Sequence, residues 1–168
     1  MKWGKTHWLR AAALGAAASA VFFTGCPKPK VISKALPIGR KEKKIGVTMM
    51  GDENANHGSP VKLDILLVSD KELVKKLQEM SAFDWFKKRS QITRSQSKKG
   101  ALWVSSWELV PGQVIRLEDV RVPPQVETAI VFANYPKDED DPDDYRAVLD
   151  PRKDVRITLG VSKFEVSQ

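Results

Sequence analysis

The sequence has only one cysteine and two histidines among 168 residues. A single cysteine excludes an intramolecular disulfide framework and any four-cysteine zinc site. The two histidines, His7 and His57, leave little material for histidine-based metal or acid–base chemistry. The chain has room for one ordinary domain. Its composition, 42% hydrophobic and 29% charged residues, argues against wholesale disorder and against a multi-span membrane protein.

The sequence also lacks the short motifs of the common enzyme classes. It has no phosphate-binding glycine-rich loop, no G-x-S-x-G elbow and no paired-histidine metal motif. We therefore expect a non-enzymatic protein. One weaker alternative stays open, a hydrolase in which Ser105 or Ser106 acts with His57, although His57 sits among loop-forming residues that are typical of a solvated side chain.

Residues 1–25 have the pattern of a secretory signal peptide. Met1–Arg10 carries three basic residues and no acid, and fourteen uncharged residues follow at Ala11–Thr24. This stretch is too short to cross a bilayer, which needs about 20 apolar residues, but it fits the apolar part of an export signal. A buried alanine-rich helix is the alternative, which the absence of a polar face disfavours.

The only cysteine, Cys26, lies directly after this stretch, in the sequence Phe23-Thr24-Gly25-Cys26. This sequence resembles a bacterial lipobox, in which a small residue precedes the cysteine that is lipidated. A free buried thiol is the alternative interpretation. We predict that acylated Cys26 anchors the protein to membrane lipid, and Pro27 in place of the aspartate associated with inner-membrane retention favours the periplasmic face of the outer membrane.

Positive charge is concentrated before the main domain. Residues 26–44 form, by composition, a basic linker that contains three prolines, and residues 61–168 hold eighteen basic and eighteen acidic residues. The formal charge of +7 therefore belongs to the leader and the linker. We expect no nucleic-acid partner, and we attribute the basic linker to solvation or to attraction by anionic lipid.

The remaining residues, 45–168, predict an all-β domain. Pro111 and Gly112 fit a type II turn and favour a hairpin between the strands on either side of them. Six or seven strands with turn signals between them favour a β-sandwich. The predicted strands are Ile45–Met49, Val61–Val68, Leu102–Val110, Val114–Val120, Val126–Tyr135, and one or two strands within Val155–Val166.

Two short helices are predicted between the second and third strands. Ser69 and Glu72 fit a capping box, and apolar residues at helical spacing follow from Leu73 to Met80. Ser81 and Asp84 predict the start of a second helix over 81–89. The polar stretch 91–100 is interpreted as a surface loop.

Trp103 and Trp107 have even spacing, which places both on one face of a strand. A core position is favoured, because aromatic residues supply much of the burial in a small domain. If Leu102 and Val104 point inward instead, the two tryptophans form an exposed docking patch.

Six carboxylates lie within residues 138–144. They could offer oxygen ligands to calcium, but the segment lacks the glycine and the distant glutamate of an EF-hand loop. A solvated hairpin tip and a docking surface for a basic partner are the other interpretations. A periplasmic ligand-binding lipoprotein that binds calcium here is the alternative function.

Several of these features together resemble one family. A lipobox, a basic linker and a β-sandwich are combined with the run IGVTMMGDENANHGSPVKLDILLV, in which a polar loop ends at Pro60-Val61 before a strong apolar strand. The later WELVPGQ resembles a Pro-Gly turn of the same family. The whole is similar to TssJ (VasD), the outer-membrane lipoprotein of the type VI secretion membrane complex.

The resemblance implies a transthyretin-like β-sandwich with added helices, anchored by lipid in the outer membrane. It also implies a scaffold that binds the periplasmic domain of a large inner-membrane secretion component, without a cofactor. The family's loop between the first two strands contributes to that docking. Carried onto this sequence, the implied partner-binding residues are Asp52, Glu53, Asn54, Asn56 and His57.

The substitution Cys26→Ser tests the predicted anchor. We expect incorporation of radiolabelled palmitate to disappear and the protein to move from the membrane fraction to the soluble periplasmic fraction, because serine has no thiol to carry the acyl chains on which stable anchoring depends. If the unsubstituted protein takes up no label, and both proteins fractionate alike, the anchor hypothesis is wrong.

Overall fold

The computed structural model describes residues 41–136 and 145–168, which all belong to one unit over residues 37–168. The predicted signal peptide, Cys26 and the acidic segment 138–144 lie outside the described residues. The described part contains eight strands and two α-helices, α1 (Lys71–Gln78) and α2 (Ala82–Ser97). The strands are β1 (Lys43–Gly51), β2 (Val61–Val68), β3 (Leu102–Leu109), β4 (Val114–Val122), β5 (Thr128–Asn134), β6 (Arg146–Leu149), β7 (Val155–Leu159) and β8 (Phe164–Ser167).

The strands form two four-stranded sheets, which confirms the predicted β-sandwich. Sheet A has the order β4-β1-β7-β8, and sheet B has the order β3-β2-β5-β6. Strands β1 and β7 are parallel, and the other neighbours are antiparallel. Alternate residues of β1 and β7 point toward sheet B, so that Met49, Ile157 and Leu159 are fully buried, as the period of two in a strand requires.

Strand β2 has the predicted bounds, and its continuous apolar run reflects burial on both faces. Leu63 and Leu66 lie on opposite faces of the strand, and neither is exposed. Sheet A covers the first face, and the two helices cover the second. A strand covered on both faces reads as a run of apolar residues rather than as a simple alternation.

The two tryptophans of β3 lie on the same face, as predicted. Trp103, Trp107, Ile45 and Val47 line a cavity of about 70 Å³ between the sheets, so the two indoles are half-buried core residues. Leu102 is also buried, on the helical side of sheet B. Burial of the tryptophans and burial of Leu102 were predicted as alternatives. Both occur, because both faces of sheet B are covered.

Helix α1 begins one residue later than the capping-box prediction implied. The N-cap is Asp70, whose Oδ1 accepts a hydrogen bond of 2.7 Å from the backbone N–H of Leu73. The hydroxyl of Ser69 instead donates to the backbone oxygen of Gly100 at 3.2 Å. A carboxylate is the stronger acceptor for the free N–H groups of a first turn, so the prediction of Ser69 was wrong.

Helix α2 is longer than predicted, and the surface loop predicted over 91–100 is wrong. The hydroxyl of Ser81 caps the helix, as expected, by accepting from the N–H of Asp84 at 3.2 Å. The helix continues to Ser97 because no glycine or proline interrupts it and Ile92 packs against the core. Gly100, with φ of 65°, follows its end.

The predicted hairpin between β3 and β4 is also wrong, although its turn is present. The N–H of Gln113 donates to the oxygen of Val110 at 3.1 Å, and Gly112 has a φ of 75°, as a type II turn requires. Strand β3 pairs with β2 and strand β4 with β1, so the turn carries the chain from one sheet to the other. A turn sequence specifies the local bend, but not whether the flanking strands pair.

A buried carboxylate holds α2 on sheet B. Asp64, in the middle of β2, has a side chain that is 1% exposed and accepts from the indole N–H of Trp85 at 2.8 Å. Nη1 of Arg89 lies 3.1 Å from Oδ2 of the same carboxylate. Trp85 also stacks on Phe132 of β5, with ring centres 5.4 Å apart. The helix is thus fixed in position and rotation by two of its side chains.

The substitution Asp64→Ala should lower the free energy of unfolding by about 2–3 kcal/mol, because it leaves a buried indole N–H and a guanidinium without their acceptor. The control is Asp84→Ala, which removes an exposed ion pair with Lys88 and should cost about 0.5 kcal/mol. Urea denaturation measures both, and equal losses would contradict the stated role of Asp64.

Candidate functional site

Three turns meet at one end of the sandwich, which we call the loop end: the β1–β2 loop (52–60), the β3–β4 turn (110–113) and the β7–β8 turn (160–163). The N–H of Gly112 lies 3.0 and 3.1 Å from the oxygens of Gly51 and Asp52. The N–H of Asp52 donates to Leu159, and that of Asn56 to Gly160, at 2.9 and 3.0 Å. Backbone hydrogen bonds therefore tie the β1–β2 loop to both neighbouring turns.

The centre of the β1–β2 loop has a left-handed backbone. Asn56, His57 and Gly58 have φ values of 46°, 53° and 84°, a conformation that is costly for residues other than glycine and asparagine. The side chain of Asn56 is buried, and its amide donates to the oxygen of Pro60 at 3.3 Å. Asn56 therefore shapes the loop from inside.

The other four predicted partner-binding residues are exposed on the same loop: Asp52, Glu53, Asn54 and His57. Asn54 precedes the 3₁₀ turn at 55–58, but its side chain makes no capping hydrogen bond. No Lys or Arg occurs between residues 51 and 61. The loop thus presents two carboxylates, an amide and an imidazole on a fixed backbone.

Three exposed apolar residues near this loop were not predicted from the sequence. Val110, Val114 and Val161 are 44–48% exposed, and they lie on or next to the two turns that are bonded to the β1–β2 loop. Single exposed valines are common on protein surfaces, but these three lie on or next to the two turns that flank the loop with the carboxylates. Their position next to turn residues was visible in the sequence, whereas the adjacency of the turns was not.

A tyrosine of the core, Tyr135, is hydrogen-bonded to the β7–β8 turn. The hydroxyl of Tyr135 lies 3.1 Å from the backbone oxygens of both Gly160 and Lys163. Its ring stacks on Tyr145, with centres 4.8 Å apart. The turn that carries Val161 is therefore supported by the core rather than by surface contacts alone.

The structure gives no support to the hydrolase alternative. Ser106 accepts a hydrogen bond from Arg89 at 3.3 Å, on the helical side of sheet B, while Ser105 lines the cavity between the sheets. No hydrogen bond within the described ranges joins either serine to His57. In 41–136 and 145–168, no three His, Cys, Asp or Glu residues are grouped to hold a metal ion, and no described helix could cross a membrane.

The substitution Asn56→Ala should lower the free energy of unfolding by about 1–2 kcal/mol, because alanine is strained at a left-handed φ and cannot replace the bond to Pro60. Asn54→Ala is the matched control, and its expected change lies within about 0.5 kcal/mol. Both are measured by urea denaturation. If Asn54→Ala lowered the free energy of unfolding more than Asn56→Ala does, the assignment of Asn56 to the loop interior would be wrong.

No protein-family model matches this sequence, and no curated protein is significantly similar to it. Solved structures do resemble it in fold. TssJ1, a type VI secretion lipoprotein of Pseudomonas aeruginosa, is 20% identical with a TM-score of 0.58, over 76% of this chain and 96% of that chain.

Two further solved structures resemble this chain in fold as TssJ1 does. Lip of Serratia marcescens, a membrane-bound component of the type VI secretion system, is 14% identical with a TM-score of 0.54, over 76% of this chain and 98% of its own. A chain of a type VI membrane complex is 14% identical with a TM-score of 0.58, over 75% and 98%. At these identities the likeness concerns the fold, and it confirms the β-sandwich with inserted helices that the sequence predicted.

Proposed function

We propose that this chain, which has the fold of the TssJ lipoproteins, is a non-enzymatic scaffold of a type VI secretion machine. In this proposal, acylated Cys26 holds the protein on the periplasmic face of the outer membrane. The loop end docks the periplasmic domain of an inner-membrane secretion component. The role is tethering, since a fixed anchor raises the effective concentration of a partner and fixes its position.

The observation that carries the proposal is the position of the loop end relative to the chain's attachment. Strand β1, the first described strand, runs from Lys43 to Gly51, a distance of about 27 Å at the usual rise of a strand. The loop end therefore lies at the opposite end of the domain from the start of β1. A partner that approaches from the periplasm can reach it while the domain stays anchored.

The chemistry of the loop end also suits docking. Apolar side chains near charged groups are a usual combination in a protein interface, in which apolar contacts supply affinity and charges around them govern the rate of association. The carboxylates of Asp52 and Glu53 favour a basic partner surface. Because backbone hydrogen bonds already order the β1–β2 loop, binding loses little conformational entropy.

The double substitution Asp52→Ala, Glu53→Ala removes both carboxylates that would face a basic partner surface. Binding of the inner-membrane component's periplasmic domain should weaken about tenfold or more, which corresponds to a loss of about 1.4 kcal/mol of binding energy. The measurement is a calorimetric titration with the Cys26→Ser protein, at low and at physiological salt. Weaker binding at the higher salt is expected of the unsubstituted loop, because salt screens the carboxylates.

The matched control is Glu72→Ala, Glu79→Ala, which removes the same charge from exposed positions on and beside α1. We expect this control to bind as the unsubstituted protein does. Equal affinities for both double variants would remove the loop end as the docking surface. A saturable heat with calcium at physiological concentrations would instead favour the ligand-binding alternative.

A further inference from the structure

The second half of helix α2 and the residues after it carry positive charge without any acid. Residues 87–99 hold six Lys and Arg and no Asp or Glu. Two of the six have ion-pair partners within the domain, Lys88 with Asp84 at 3.0 Å on the surface and Arg89 with the buried Asp64 at 3.1 Å. Within the described part of the chain, the other four have no ion-pair partner: Lys87, Arg94, Lys98 and Lys99.

Three of these four form a line on the solvent side of the helix and its C-cap. Lys87, Arg94 and Lys98 are spaced by seven and four residues, which places them within about 40° around the axis and along about 16 Å of it. All three are exposed, because Trp85 and Ile92 turn the opposite face toward the core. We call these three residues the basic stripe.

An aromatic residue extends this face by one turn. Phe83 precedes Lys87 by four residues and is 55% exposed, and the ammonium of Lys87 lies 6.0 Å from the centre of its ring. Phe, like Trp and Leu, occurs together with Lys and Arg on helices that lie at the headgroup boundary of a bilayer.

The stripe ends at the end of the sandwich where β1 starts at Lys43, which we call the attachment end. Strand β2 runs away from the loop end to Val68, and the next residue, Ser69, bonds to the backbone of Gly100 and Ala101 just beyond α2. Strand β1 starts at the same end of the sandwich, since it runs toward the loop end. Lys98, the last residue of the basic stripe, is thus close to the attachment end, whereas Asp52 and Glu53 lie at the opposite end.

We infer that the basic stripe binds the headgroups of an anionic phospholipid bilayer and orients the tethered domain with its loop end turned away from the membrane. An anionic surface attracts the stripe and repels the carboxylates of the loop end, so the two charges act in the same direction. Each Lys or Arg that reaches such a surface strengthens binding about fivefold.

The bilayer is the favoured occupant because of the length of chain before Lys41. The inference rests on the proposed anchor at Cys26, fifteen residues earlier in the sequence. A chain of that length spans at most about 50 Å, so the tether keeps the domain beside a lipid surface. A weak, salt-sensitive contact is sufficient under that confinement.

The test uses the full chain with Cys26→Ser, so that acylation contributes nothing. Sedimentation with vesicles of phosphatidylcholine and phosphatidylglycerol is compared with sedimentation with pure phosphatidylcholine, which measures any binding through the apolar segment 11–24. The stripe variant is Lys87→Gln, Arg94→Gln, Lys98→Gln. Its binding to the anionic vesicles should fall at least tenfold, and up to about a hundredfold, relative to the unsubstituted chain.

The control variant is Lys62→Gln, Arg116→Gln, Arg156→Gln, which removes the same charge from exposed strand positions and should lose less than about threefold. The charge-preserving variant Lys87→Arg, Lys98→Arg should bind as the unsubstituted chain does. Circular dichroism confirms that each variant keeps its helices.

Equal losses for the stripe and control variants would overturn the inference, because net charge alone would then explain the binding. Unchanged vesicle binding by the stripe variant would overturn the inference as well. If the stripe variant then bound the secretion component more weakly, the stripe would be assigned to an acidic protein partner. The vesicle assay contains no partner protein. A negative vesicle result therefore does not bear on the proposed docking at the loop end. A negative docking result likewise does not bear on whether the stripe binds lipid.

Discussion

Strand β2 is buried on both faces, and this burial determines how the other elements are arranged. Sheet A covers the face that carries Leu63, and the helical layer covers the face that carries Leu66. Without α1 and α2, the second face would expose a large apolar area to water. The one carboxylate within this strand, Asp64, uses its buried position to bind two side chains of α2. A single strand thus fixes both layers that flank sheet B.

The same arrangement orders the loop end. Because β1 and β2 belong to different sheets, the loop between them must cross the end of the sandwich, and the β3–β4 turn crosses it in the opposite direction. The two crossings lie side by side and share the hydrogen bonds of Gly112. The exposed side chains of the β1–β2 loop are therefore presented from a backbone that is held on two sides, which is what a docking surface of modest size requires.

Asp52 and Glu53 expose carboxylates at the loop end, whereas the basic stripe on α2 ends near the opposite end of the sandwich. For a free soluble protein, such an arrangement would affect only how partners approach. For a protein tethered to a charged bilayer, it would also decide which end faces the membrane. The basic linker, which accounts for much of the chain's net charge together with the leader, would act in the same direction.

Local sequence patterns determined the two-sheet class, the exact extent of β2, the turn at Gly112 and the cap at Ser81, because each depends on neighbours a few residues apart. They also indicated the β1–β2 loop as a site, through a resemblance that the fold comparison supports. Only the tertiary structure decided that β3 and β4 belong to different sheets, that α2 continues to Ser97, and that Asn56 lies inside its loop. It alone placed the turns of Val110 and Val161 on either side of the loop that carries Asp52. The physical reason is that strand partners, helix contacts and neighbouring turns are chosen by burial between residues distant in sequence, and no local pattern records which distant residue will cover which face.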